Sequence, residues 1–308
     1  MRGDPVRTRT RHWTRWRRRQ LGDAWRRGSH LDVLGDEGRT AWVCSWQRSG
    51  STLLAEVLAS APGTRLIYEP ANLPGRIVTG EAAALTPLPT GAGEELAVVE
   101  RSLHGRVRGP WVDQLADCHV VRRRVVKDVR AIGLLDLVAA RHPRVPIVVL
   151  VRHPLSIALS AVSLGWTDPR AGSIDKQLLL EVRRWTELHG AALRAPAAAR
   201  ALVIAYEHLV AQPDATLDRV TAHLAPHHPT WRDLAIDRRR VDAPSSTSFR
   251  RTTPRTASEW IGSFVSVERA VLDETVRLLD VAGLGNLYGE SPEPLIGPDA
   301  VARAPSFH

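Results

Sequence analysis

Cysteine and lysine are both scarce in this chain of 308 residues, which has two cysteines, Cys44 and Cys118, and two lysines, Lys127 and Lys176. Two thiols cannot build a disulfide framework, and neither lies at a metal-ligand spacing, so a reducing cytoplasm is the expected setting. With so little lysine, almost all of the 42 basic residues are arginine, and against 33 acidic residues they leave a net charge of +9. Guanidinium groups stay protonated and match phosphate or sulfate oxygens in a bidentate fork. GC-rich coding is an equally simple source of part of the arginine and alanine. No apolar run approaches the roughly 20 residues that cross a bilayer, and no signal-peptide core opens the chain, so a soluble protein with no transmembrane segment is expected. The length suits one sizeable core with insertions.

What is present divides into zones. Residues 1–35 form a basic arm in which Trp13, Trp16 and Trp25 stand among arginines. Such an arm can touch nucleic acid or an anionic surface. The tryptophan spacing is irregular and no base-reading motif follows, which favours a loosely packed helix and no nucleic-acid partner. From about residue 40, short β-branched runs alternate with helical patterns. Strands are expected at Ala41–Trp46, Arg65–Tyr68, Val120–Lys127, Pro146–Val151 and Ala201–Tyr206, with helices starting near Gly50, Ala131, Pro154, Ile174 and Asp214. A run such as Ile147–Val151 is apolar throughout and is covered on both faces, so the expected fold is a three-layer α/β/α arrangement around a central parallel sheet. Gly80–Glu94 reads as an insertion or lid, residues 225–262 as a long ordered loop, and 289–308 as a tail.

Two stretches carry the chemistry. In Trp46-Gln47-Arg48-Ser49-Gly50-Ser51-Thr52-Leu53-Leu54, a strand, a Ser/Gly turn and a helix gather backbone N–H groups and the positive end of a helix dipole around one point, which suits a tetrahedral oxyanion. Against the nucleotide-triphosphate loop G-x-x-x-x-G-K-[ST], Ser45 replaces the first glycine and Ser51 the lysine, and the basic group is Arg48. The strand positioned to supply a magnesium carboxylate ends in Arg152, which suits a second anion and disfavours the alternative of a P-loop kinase or NTPase acting on a small molecule. The second stretch, Leu150-Val151-Arg152-His153-Pro154-Leu155-Ser156-Ile157-Ala158-Leu159-Ser160, is another strand-turn-helix, with Pro154 suited to the first helical turn.

Together these stretches resemble the sulfotransferases that use 3′-phosphoadenosine 5′-phosphosulfate (PAPS). The first is similar to their 5′-phosphosulfate loop. The second is similar to their 3′-phosphate motif, an Arg and a Ser with seven residues between, as in Arg152 and Ser160. Tyr68-Glu69-Pro70 and Val125-Val126-Lys127-Asp128-Val129-Arg130 resemble carbohydrate-type members most closely, and Tyr206-Glu207-His208-Leu209 resembles a strand-end segment whose tyrosine lies near the adenine. Thr247-Ser248-Phe249-Arg250-Arg251 is reminiscent of a cofactor-covering segment, although Thr252 stands where the cytosolic enzymes have glycine. The resemblance implies a P-loop-like sulfotransferase domain over 36–288. It also implies cofactor binding by Arg48, Ser49, Gly50, Ser51, Thr52, Arg152, Ser160, Tyr206, Arg250 and Arg251.

The implied reaction moves a sulfuryl group from PAPS, without a metal, to a hydroxyl of a carbohydrate or of a glycosylated or hydroxylated small molecule. Arg48 meets the charge that develops toward the leaving phosphate. The acceptor needs a base, for which Glu69 is the first choice and Asp128 the second. Lys127 neutralises the transferring group or anchors the acceptor, with a structural ion pair as its alternative. His119 and His227-His228 fall in no metal spacing. Oligomeric state is not legible in the sequence.

Overall fold

The computed structural model describes residues 31–32, 35–71, 93–109, 111–118, 120–167, 169–242 and 267–285. Its centre is a five-stranded, all-parallel sheet built from β2 (Thr40–Ser45), β3 (Thr64–Tyr68), β5 (Arg123–Asp128), β6 (Ile147–Val151) and β7 (Leu202–Ala205), in the spatial order β3-β5-β2-β6-β7. The strand β2 alternates strictly. Ala41 and Val43 face one apolar layer with Leu66, Val125, Val148 and Leu150, whereas Trp42 and Cys44 face the other with Ile67, Val126, Val149 and Val151. Helices α1 (Ser51–Ala59) and α7 (Pro213–Leu224) cover the first face. The second is covered by α2 (Gly93–Leu103), α3 (Leu135–Arg141) and α5 (Ile174–Arg194), the last bringing Trp185. Burial on both faces explains why these strands read as continuous apolar runs. The three-layer α/β/α fold expected from the sequence is the fold observed.

Four of the five expected strands form within one residue of their expected ends, and the fifth differs. Val120–Lys127 splits at Arg122: β4 (Val120–Val121) pairs in parallel with β1 (Leu31–Asp32) in a separate two-stranded sheet, and only Arg123 onward enters the main sheet. The break is a backbone event, because the N–H groups of Arg122 and Arg123 both donate to the carbonyl of Gly63, at 2.8 and 3.2 Å. The expected helix starts hold, with one 3-10 turn, Ala131–Leu134, leading into α3. Three helices were not anticipated: the short α6 (Tyr206–Ala211), which directly follows β7, and two others. One is α2, which begins inside the stretch read as a lid and buries Leu96, Val99 and Leu103 at helical spacing. The other is α8 (Arg269–Val281), which packs Val271 against Leu178 and Val182 of α5 and Leu155 and Ala158 of α4 (Pro154–Ser163).

Candidate active site

Every strand of the main sheet delivers a polar residue to the same edge, where open α/β sheets place their ligand crevice. From β2 the chain turns through residues 46–50 into α1. The turn uses two left-handed residues, Gly50 at φ 88° and Arg48 at φ 65°. For an arginine this conformation costs roughly 1–2 kcal/mol. Only three non-glycine residues among those described have positive φ, and two of them, Arg48 and Glu69, are candidate site residues. The turn is held down by α1, whose Leu53, Leu54, Val57 and Leu58 are buried and contribute roughly 1.5–3 kcal/mol each in gross transfer energy. Gly50 caps α1 with no side-chain acceptor, and the first turn carries no acidic residue, so the helix presents its positive end to an incoming anion. Ser51 is buried at the helix start. Ser49 differs from its expected role: its hydroxyl donates to the Trp46 carbonyl and tightens the turn.

Arg152 leaves the end of β6 and reaches back to this turn. Its Nη1 donates to the Arg48 carbonyl at 3.0 Å, while Arg48 Nε donates to the Ser160 hydroxyl of α4 at 3.0 Å. The two strand-turn-helix units are thus joined through the residues expected to hold the two anions. Tyr206, which follows β7, closes the third side. Its ring lies 4.6 Å from the Arg152 guanidinium carbon and against Gly50. A second ring, Trp166, lies 5.7 Å from the Arg48 guanidinium carbon. Burial and the neighbouring Arg152 both push the Arg48 pKa down, burial more strongly. The two guanidinium groups have no ion pair among the described residues and repel each other, a repulsion that an anion between them would relieve. Arg152 Nε is also buried without a hydrogen-bond partner.

Behind Arg152 is an acid to which the sequence reading gave no role. Glu207 accepts from the His153 N–H at 3.0 Å through Oε1, and its Oε2 has no hydrogen-bond partner. Burial raises its pKa, opposed by His153 and Arg152. Its neighbour His153 is pushed down to about 3 by burial and by Arg152, so its ring is neutral. The signal was the glutamate directly after Tyr206.

At the other side of the loop, Lys127 at the end of β5 pairs with Glu69, which follows β3, and its ammonium sits 4.7 Å from the Tyr68 ring centroid. Glu69 is fixed from both sides: its N–H donates to the Lys127 carbonyl at 2.7 Å, and its own carbonyl accepts from Trp111 Nε1 at 3.2 Å. Asp128 has a different environment from Glu69. It is fully buried, with Oδ2 accepting from the Ala71 N–H at 2.9 Å and Oδ1 from those of Arg130 and Ala131 at 2.7 and 3.2 Å. These bonds make it a clamp on two loops. Arg250 and Arg251 lie outside the described residues, as do residues 1–30, 80–92 and 286–308.

An open parallel sheet whose carboxyl edge joins a lysine-free Ser/Gly turn to a second, arginine-bearing turn defines an α/β protein of three layers. The chain belongs to the sulfotransferase family, whose model matches residues 41–229 and so takes in both turns, Glu69, Lys127 and Tyr206. Among solved structures it is similar to the sulfotransferase domain of the Synechococcus PCC 7002 olefin synthase, at 19% identity over 83% of this chain and 96% of that one, with a TM-score of 0.47. A sulfotransferase from Alicyclobacillus acidocaldarius matches at 12% identity over 85% and 98% of the two chains, TM-score 0.44. A mouse sulfotransferase complexed with PAP matches at 16% over 88% and 93%, TM-score 0.43. Among curated proteins none matches the sequence. No described helix is long and apolar enough to cross a membrane.

Proposed function

We propose that this sulfotransferase uses PAPS as its donor and sulfates a hydroxyl of a carbohydrate or of a glycosylated or hydroxylated small molecule. The observation that carries the donor reading is the meeting of Arg48, Ser160 and Arg152 through two 3.0 Å hydrogen bonds at the mouth of an uncapped helix. One adenosine carrying a 5′-phosphosulfate and a 3′-phosphate supplies negative charge to both turns, and Tyr206 offers a ring beside them. In the proposed reaction the acceptor oxygen attacks sulfur in line as the S–O bond to the 5′-phosphate breaks. The hydroxyl proton passes to Glu69, and adenosine 3′,5′-bisphosphate leaves. Arg48 and the N–H groups at the start of α1 stabilise charge on the departing phosphate oxygen. Lys127 holds Glu69 and faces the transferring sulfonate. Glu69 is preferred to Asp128 as the base because three backbone N–H groups occupy the Asp128 oxygens. The carbohydrate acceptor rests on the Tyr68-Glu69-Pro70 and Lys127-Asp128 resemblance, and a chain whose Cys44 and Cys118 form no disulfide agrees with a cytoplasmic setting.

The test is thermal stability with adenosine 3′,5′-bisphosphate and with ATP plus magnesium. The bisphosphate is expected to raise Tm, and a response to ATP-magnesium alone would refute the donor assignment in favour of a kinase or NTPase. Turnover of labelled PAPS over a panel of glycosides and simple alcohols then selects the acceptor. In that assay Arg152→Ala is expected mainly to raise the donor KM and Arg48→Ala mainly to lower kcat.

A further inference from the structure

At the opposite end of the sheet, where the strands begin, three segments bring together ligating groups that the sulfotransferase site does not use. Glu37 stands in the 3-10 turn just before β2, His104 directly follows α2, and His142 directly follows α3. One donor atom from each lies within 4.8 Å of the other two. We propose that Glu37, His104 and His142 form a binding site for a divalent transition-metal cation of zinc type.

The donor set, two imidazoles and a carboxylate, is the borderline N/O set that zinc and its neighbours prefer. Two details point to a ligand. His104 Nδ1 lies 3.2 Å from the Gly35 carbonyl oxygen. A carbonyl can only accept, so Nδ1 carries the hydrogen and Nε2 keeps its lone pair, the arrangement by which backbone carbonyls orient metal-binding histidines. His142 has a side chain only 10% exposed, with Nδ1 2.8 Å from Glu37 Oε2. Its Nε2 is buried without a hydrogen-bond partner, and Glu100 Oε1 is 3.5 Å away. A buried imidazole nitrogen without a partner is destabilising, and a bound cation would offset that loss.

Metal–ligand bonds of about 2.0–2.2 Å in a tetrahedron place donors about 3.3 Å apart, inside the 4.8 Å that bounds this cluster, so binding draws the three side chains inward. Glu37 and His104 are only partly buried, leaving water room to complete the coordination. Glu100, paired with Arg141 at 3.1 Å, stands beside the site and offers a further carboxylate. A cation here would tie the entry of the central strand β2 to the ends of two covering helices. Its role would be to stabilise the fold, away from the carboxyl edge where sulfuryl transfer is proposed.

The test is calorimetric titration of the chelator-treated full chain with zinc chloride, with Tm recorded alongside. One ion is expected per chain, with a Tm rise of about 5 °C at a hundredfold excess over Kd. Affinity should fall at least tenfold in His104→Gln and in His142→Gln. His104 is partly exposed, so its variant remains informative if loss of His142 impairs folding. Absence of binding up to about 1 mM zinc would overturn the proposal. So would undiminished binding in both variants, which would place the ion elsewhere, for instance at the adjacent rings of His223 and His227.

Discussion

Replacing Gly50 by alanine tests whether the anion loop and the Arg152 platform are one mechanical unit. Two penalties combine at this position. At φ 88° an alanine costs roughly 1–2 kcal/mol more than glycine. The new methyl would also lie 2.6 Å from Cε2 of Tyr206 and closer still to Cδ2, so the ring, which is buried, has to move off the Arg152 guanidinium. Overpacking of this kind costs about 1–3 kcal/mol. Gly50→Ala is therefore expected to lose about 2–5 kcal/mol in urea unfolding followed by circular dichroism, and to bind adenosine 3′,5′-bisphosphate more weakly. The two parts separate in a double-mutant cycle. Tyr206→Ala removes the clash but not the φ penalty, so the alanine at 50 should cost about 1–3 kcal/mol less in the Tyr206→Ala background. Strict additivity, or a Gly50→Ala protein as stable as its parent, would refute the claim that the Tyr206 ring is seated on the loop backbone.

Three further outcomes are expected. Asp32 ion-pairs with both Arg65 and Arg124 at 3.4 Å, all with side chains 1% exposed or less, so Asp32→Asn should cost about 3 kcal/mol by leaving two buried cations without it; a change under 1 kcal/mol in urea unfolding would contradict this. Burial lowers His189 to about 4 from its ordinary 6.5. Its neutral form is therefore favoured by folding, and the stabilisation present above about pH 6.5 is lost as pH falls toward 4, by about 2 kcal/mol between pH 7 and about 4.5. His189→Phe, which keeps a ring stacked on Trp185, should lose less stability than the parent over that interval, and equal losses would argue against the assignment. Glu69→Gln should lower kcat by about 10²–10⁴ with a smaller effect on donor affinity, whereas a variant that loses only thermal stability would make the Lys127–Glu69 pair structural.

Much of this architecture was legible because the local signals agree with one another. An apolar run buried on both faces, a Ser/Gly turn and a helix with a Leu-rich face specify a strand-turn-helix by periodicity alone. That is why four strands fall within one residue of expectation, and why Arg48, Ser160 and Arg152 were recognisable as residues to watch. Helix α2 carried an equally good pattern in Leu96, Val99 and Leu103, but the Pro/Gly-rich stretch before it masked the start.

What the chain's order cannot encode is distance across the sheet. Residues 48, 152 and 206 meet because parallel crossovers bring the ends of β2, β6 and β7 to one edge. The same pairing at the opposite edge gathers Glu37, His104 and His142, which no linear spacing connects. Asp128 and Glu69 looked alike in sequence as strand-end acids. Only the tertiary hydrogen bonds distinguish them, because backbone N–H groups occupy the first while a lysine holds the second at the edge where the ligand turns converge. Sequence determines which groups each segment carries and the form it takes; packing and register decide which of those groups share a charge, a proton or a ligand.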